Sequence, residues 1–263
     1  MFTIGLLLFT FWAMMFFVAE RLIPGSTEVD LDIIKRSLAI IRGLISVFIS
    51  GSYLLRTGLD YCEETTYQER LMVLFSLSFF IIDSVYCGYK GFWDGNLVFH
   101  HACTIGALFI AFLAPYGGKV TLYGLLAGDI SNFAMNLRGI IRAQGKRHTA
   151  LHEVLECSYF AIYIVFRGLM APYNLYSCAS CPNISVFLTL MCFFISLQSW
   201  FFMTKMTKIL KKKVLEYEER KNKGVSLWWM EVNPALRSLT STKSPIKESS
   251  DPKESLIKYL TFK

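Results

Sequence analysis

Apolar residues fall in long blocks along this chain, and polar residues gather in the short stretches between them. Seven blocks approach the ~20 residues a helix needs to cross a bilayer. They are residues 2–19, 38–55, 71–87, 97–114, 120–137, 154–171 and 184–203. No alternation of period two runs through them. Lipid offers no partner to an unpaired backbone amide, so blocks this apolar predict helices. The expected fold class is all-α, a multi-pass transmembrane helical bundle of about seven spans. The first block lacks a basic leader and a small-x-small cleavage pattern, so it reads as a retained span.

Composition agrees with this pattern. Hydrophobic residues make up 54% of the chain and charged residues 18%, against roughly 25% charged in a soluble domain. An ordinary soluble enzyme, a disordered chain and a collagen are excluded. The net charge of +7 does not imply nucleic acid, because the basic residues sit in short segments between the blocks. Their distribution sets orientation through the positive-inside rule. With the C-terminus in the cytosol and the N-terminus opposite, thirteen basic residues flank the spans on the cytosolic side and three (Arg56, Arg70, Lys119) on the other. Residues 205–223 read as a helix leaving the membrane or lying on its anionic face, with Trp228 and Trp229 as interfacial anchors. From Ser238 the chain is rich in Ser, Thr, Lys and Pro and is expected to be disordered. Three regions follow: 1–34, a first span and connecting loop; 35–213, the membrane domain; and 214–263, a largely disordered cytosolic tail.

Ionisable side chains at membrane depth are costly and carry a functional hypothesis by default. Asp83 lies in the third block, His100 and His101 in the fourth, Asp129 in the fifth and Arg167 in the sixth. At about 100° per residue, Asp129, Asn132 and Asn136 form one stripe, and His100 and Thr104 share a face. These stripes are expected to face one another across a polar chamber that opens toward the cytosolic leaflet. Two structural alternatives stand beside this. Asp83 lies on the same stripe as Lys90, seven residues on. Arg167 lies one turn from Tyr163, within reach of a cation–π contact.

The run Asp83, His100-His101-x-x-Thr104, Asp129-Ile-Ser131-Asn132-x-x-x-Asn136-x-Arg138 and Arg167 resembles the TLC-domain family. That superfamily groups translocating-chain-associating membrane proteins, Lag-type ceramide synthases and a lipofuscinosis-type endoplasmic reticulum protein. The likeness covers roughly residues 35–213 and is better to the small TLC-domain-containing proteins than to ceramide synthases. Asn132 stands where ceramide synthases carry a second aspartate, and no homeobox-like insert is present. The resemblance implies six core spans around a cytosol-facing cavity, one additional span, and residence in the endoplasmic reticulum or a connected membrane.

The chemistry expected of the chamber is lipid handling, with acyl transfer or hydrolysis as the candidate reactions. His100 and His101 would act as base or nucleophile, with Asp129 or Asp83 orienting an imidazole. Thr104, Asn132, Asn136, Arg138 and Arg167 are the candidate substrate-binding residues. No resident cofactor is expected, although acyl-CoA is a candidate donor substrate. No metal is expected, since adjacent histidines on a helix point about 100° apart. Membrane lipids are the expected partners, and nucleic acid is not. The alternatives are a non-catalytic regulator of membrane lipid composition and a cargo or translocation accessory. In the loop before the last block, Cys178 and Cys181 are disulfide candidates, bonded to each other or one of them to Cys62.

Overall fold

The computed structural model describes residues 1–23 and 27–236, so the tail expected from Ser238 lies outside the described residues. Regular structure among those residues is helical, apart from an isolated bridge between Glu64 and Tyr116. The elements are α1 (Phe2–Arg21), α2 (Glu28–Thr57), α3 (Tyr67–Tyr89), α4 (Gly95–Leu113), α5 (Gly118–Ala143), α6 (Ala150–Tyr163), a π-helical segment (Ile164–Met170), α7 (Ala171–Ser180) and α8 (Val186–Asn222).

Several helices start earlier than their apolar blocks because polar capping residues set the first turn. Thr27 and Asp30 form a reciprocal capping box at the start of α2, and Thr66 and Glu69 form another at the start of α3. The side chains of Asp94 and Thr149 accept from backbone amides three residues on, opening α4 and α6. Such turns look like loop to a hydropathy reading. Six helices are long and apolar enough to cross a membrane among the described residues. The fifth block forms α5, 26 residues long but outside that group. Asp129, Asn132, Asn136, Arg138 and Arg142 interrupt its apolar run.

Helix α5 is the centre of the bundle, and its interface with α2 is the most extensive. Gly43 of α2 lies against Asp129, close enough for the helices to approach at that point. One residue before that glycine, Arg42 donates from Nη1 to Asp129 Oδ2 at 2.7 Å, with both side chains buried. The Arg42 guanidinium also lies 5.1 Å and 4.7 Å from the ring centroids of Phe79 and Phe80 on α3. One cation thus joins three helices. The peripheral helix α1 packs on α3, where Trp12 meets Phe79 edge-on at 4.9 Å.

The loops at one end of the bundle are tied together. Cys62 is bonded to Cys181, while Cys178 stays a thiol beside Thr189. The pairing is therefore the long-range option, and the Cys178–Cys181 option does not form. The α5 start needs glycine twice at this end. Gly117 has φ +107°, and a Cβ on Gly118 would collide with the buried Glu69 carboxylate. Glu69 in turn accepts from Tyr53 Oη at 2.8 Å.

At the other end, a charge network joins α5, α6 and α8. Glu156 receives Arg138 and Lys213, and Glu153 receives Arg220 at 2.6 Å. Helix α8 continues unbroken through this network to Asn222, about 55 Å at 1.5 Å per residue. That exceeds the ~30 Å hydrocarbon core, so its lysine-rich half is a rod continuous with the apolar half. The chain then returns, and the carbonyls of Trp228 and Trp229 accept from the amides of Ala150 and Leu151 at the free start of α6.

Two outcomes follow from these ties. Arg42→Ala or Asp129→Ala alone leaves an uncompensated buried charge and is expected to cost about 3–5 kcal/mol. The double variant Arg42→Met with Asp129→Leu should unfold at a higher temperature in detergent than either single variant. Cys62→Ser and Cys181→Ser each open a loop of 119 residues and are expected to cost about 2–4 kcal/mol. In non-reducing peptide mapping, Cys178→Ser should leave the Cys62–Cys181 peptide intact.

Candidate functional site

A cavity runs between α4, α5, the π segment with α7, and α8. It offers about 90 Å³ in which a water-sized group can centre itself, several times the minimum for one water. Its lining on α5 extends from Val120 to Asn132, about 18 Å of helix. One end is polar, with His100, Thr104, Asp129, Asn132 and Arg167. The rest is mostly apolar, with Leu108, Leu125 and Leu188, and it reaches Asn174 toward the disulfide end. The chamber is therefore longer than the stripes alone implied, extending past the polar half.

The two histidines part company here. His100 lines the cavity, and His101 does not. Their rings are 5.9 Å apart, and Phe80 packs edge-on against both. His100 Nδ1 lies 3.2 Å from Gln198 Oε1. Gln198 donates from Nε2 to the Asn96 carbonyl at 2.9 Å, which orients its amide. The oxygen facing His100 can only accept, so Nδ1 carries the proton and Nε2 is the basic nitrogen of the neutral ring.

His101 belongs to a separate cluster. Ser84 gives its hydroxyl proton to the Phe80 carbonyl at 2.6 Å, so the 2.6 Å contact between Ser84 Oγ and His101 Nδ1 is a donation by the ring. On the far side, His101 Nε2 meets Asp83 Oδ2 at 3.5 Å. This is the carboxylate–histidine arrangement expected of the site, formed outside the cavity lining.

The remaining candidates divide in the same way. Asp129 lines the cavity, but its charge is met by Arg42. Asn132 lines it, whereas the buried Asn136 lies outside the lining. Arg138 also lies outside and serves the Glu156 network. Lys90 pairs with Glu20 at 2.6 Å and leaves Asp83 to His101. Arg167 turns toward α5, donating from Nε to Ser131 Oγ at 3.0 Å. Pro172 explains its position. Proline has no N–H for the carbonyl four residues back and its ring clashes there, and the helix answers with the π-helical stretch that carries Arg167.

Three residues of this constellation escaped the sequence reading. Arg42 sits early in the second block, where a lone arginine passes for an interfacial one. Gln198 carries no charge to mark it, and Glu156 reads as part of a polar helix start. Their signal was there in outline, since each interrupts an apolar face. Among the described residues, no group of three or more His, Cys, Asp and Glu side chains is placed to hold a metal ion.

Comparison with curated proteins returns no match. The family model of the TLC domain matches residues 33–210, about two thirds of the chain, beginning after α1. Together with its apolar helices, that match makes this chain an integral membrane protein of the TLC-domain family.

Proposed function

We propose that this protein binds a lipid acyl chain in the cavity and performs acyl transfer or hydrolysis with His100 as the base. The observation that carries this reading is the Gln198 contact, which holds a proton on Nδ1 and leaves Nε2 as the nitrogen that can act as base, on a ring that lines the polar end of an apolar channel. In the proposed step, His100 Nε2 takes the proton of a water or alcohol. That oxygen attacks the carbonyl carbon of an acyl thioester and the new C–O bond forms. The C–S bond breaks, and the leaving thiolate receives the proton from the imidazolium. Thr104 Oγ1 is buried without a hydrogen-bond partner among the described residues and lines the same cavity, so its hydroxyl is available to the developing oxyanion. Arg167 and the Asn132 amide stand beside it. Acyl-CoA is the proposed donor, and membrane lipids supply the acceptor or the ester.

A second reading is favoured by one observation. The carboxylate-backed imidazole is His101, and it is withheld from the cavity. On that reading the cavity senses lipids or regulates membrane composition without turnover.

The proposed topology has seven spans, with α5 crossing inside the ring of the other helices. The C-terminus lies in the cytosol, the N-terminus opposite, and the membrane is that of the endoplasmic reticulum or one connected to it. The disulfide supports this orientation. Cys62 and Cys181 lie in the loops opposite the lysine-rich end, and an oxidising compartment suits them there. At the lysine-rich end, burial and the neighbouring Arg147 hold the His148 imidazole below its ordinary range, so His148 adds no charge to that face at neutral pH.

Restoring cells that lack the protein with single variants tests the catalytic reading. Loss of a general base typically costs about 100-fold or more in rate. His100→Ala should therefore fail to restore the lipid profile, while His101→Ala should restore it in part. An unchanged profile with the double variant overturns catalysis and leaves the second reading. For topology, a tag placed after residue 236 should be digested by protease added to intact microsomes, and an N-terminal tag should be protected.

A further inference from the structure

Arg167 is buried among neutral partners. Its guanidinium donates to Ser131 Oγ, to the Gly128 carbonyl and to Asn132 Oδ1. Among the described residues no carboxylate comes within 4.0 Å of it. Asp129, which feels its charge through space, is committed to Arg42. An arginine in this setting ordinarily has an anion beside it. The donor inventory points the same way. Of the five N–H groups of a guanidinium, Nε and Nη2 supply those three contacts. The two on Nη1 make no hydrogen bond among the described residues.

The surroundings are shaped around this side chain. The π segment presents it, and a Cβ on Gly128 would stand 3.2 Å from Nη2. Thr104 Oγ1, buried without a hydrogen-bond partner among the described residues, lines the same end of the cavity. From this end the apolar lining continues along α5, so a cation marks one end of a narrow greasy channel.

We propose that this cavity docks a single-chain lipid with an anionic head group. A head-group oxygen accepts from Arg167 Nη1 and Thr104 Oγ1, and the alkyl chain lies along the channel past Leu108 and Leu125. The inference rests on the reading of the cavity as an acyl site and names the ligand class it takes. A fatty-acid carboxylate and a lysophospholipid phosphate share the chemistry that Arg167 recognises.

The test uses the full chain in phosphatidylcholine nanodiscs, with displacement of radiolabelled palmitate by palmitate, palmitoyl-lysophosphatidate or hexadecanol. At least one anion should bind about 10- to 100-fold more tightly than hexadecanol, the range for a charge-assisted contact. Preference for palmitate identifies the carboxylate, and preference for lysophosphatidate the phosphate. Arg167→Gln should remove the advantage, and Arg167→Lys should retain part of it. Equal binding of hexadecanol and both anions to the unaltered protein overturns the anion site while leaving an acyl cavity. Absence of binding by all three overturns both. The comparison of ligands on the unaltered protein decides the matter even if Arg167→Gln does not fold.

Discussion

The bundle is organised around a buried charge pair. Asp129 and Arg42 would each be costly to bury alone between apolar helices. Held together at 2.7 Å, they make each other's burial affordable and fix which faces of α2 and α5 meet. The aromatic rings of α3 lie within cation–π distance of the same guanidinium. With that face of α5 turned toward the interior, Asn132 follows Asp129 one turn on into the cavity wall.

The site separates two jobs that the adjacent histidines seemed to share. On a helix, neighbouring positions diverge by about 100°, so two consecutive imidazoles serve two different environments. His100 takes the cavity and is oriented by an amide. His101 takes the α3–α4 seam, bridging Ser84 and Asp83. The second cluster braces the first through Phe80, which touches both rings.

Much of the architecture was legible in the order of apolar blocks, since lipid forces such blocks into helices. What hydropathy lost were polar turns that belong to helices, such as the capping box that starts α2 before its apolar run. The lining of the candidate site was legible where polarity was conspicuous, at His100, Asp129 and Arg167. It was illegible where meaning depended on a distant partner. Arg42 finds Asp129 across 87 positions, and Gln198 finds His100 across 98. The choice between two partners for Cys181 likewise needed the fold, because spacing alone left both open.

The return of the chain after α8 has a consequence for the protein as a machine. The carbonyls of Trp228 and Trp229 close the open first turn of α6, and that same rod, passing through its π-helical stretch, bears the Arg167 side chain. The last described stretch is thus latched to the helix that furnishes the cavity's cation. Two backbone hydrogen bonds thus tie the stretch after α8 to the first turn of the rod whose later turns carry the polar wall of the cavity.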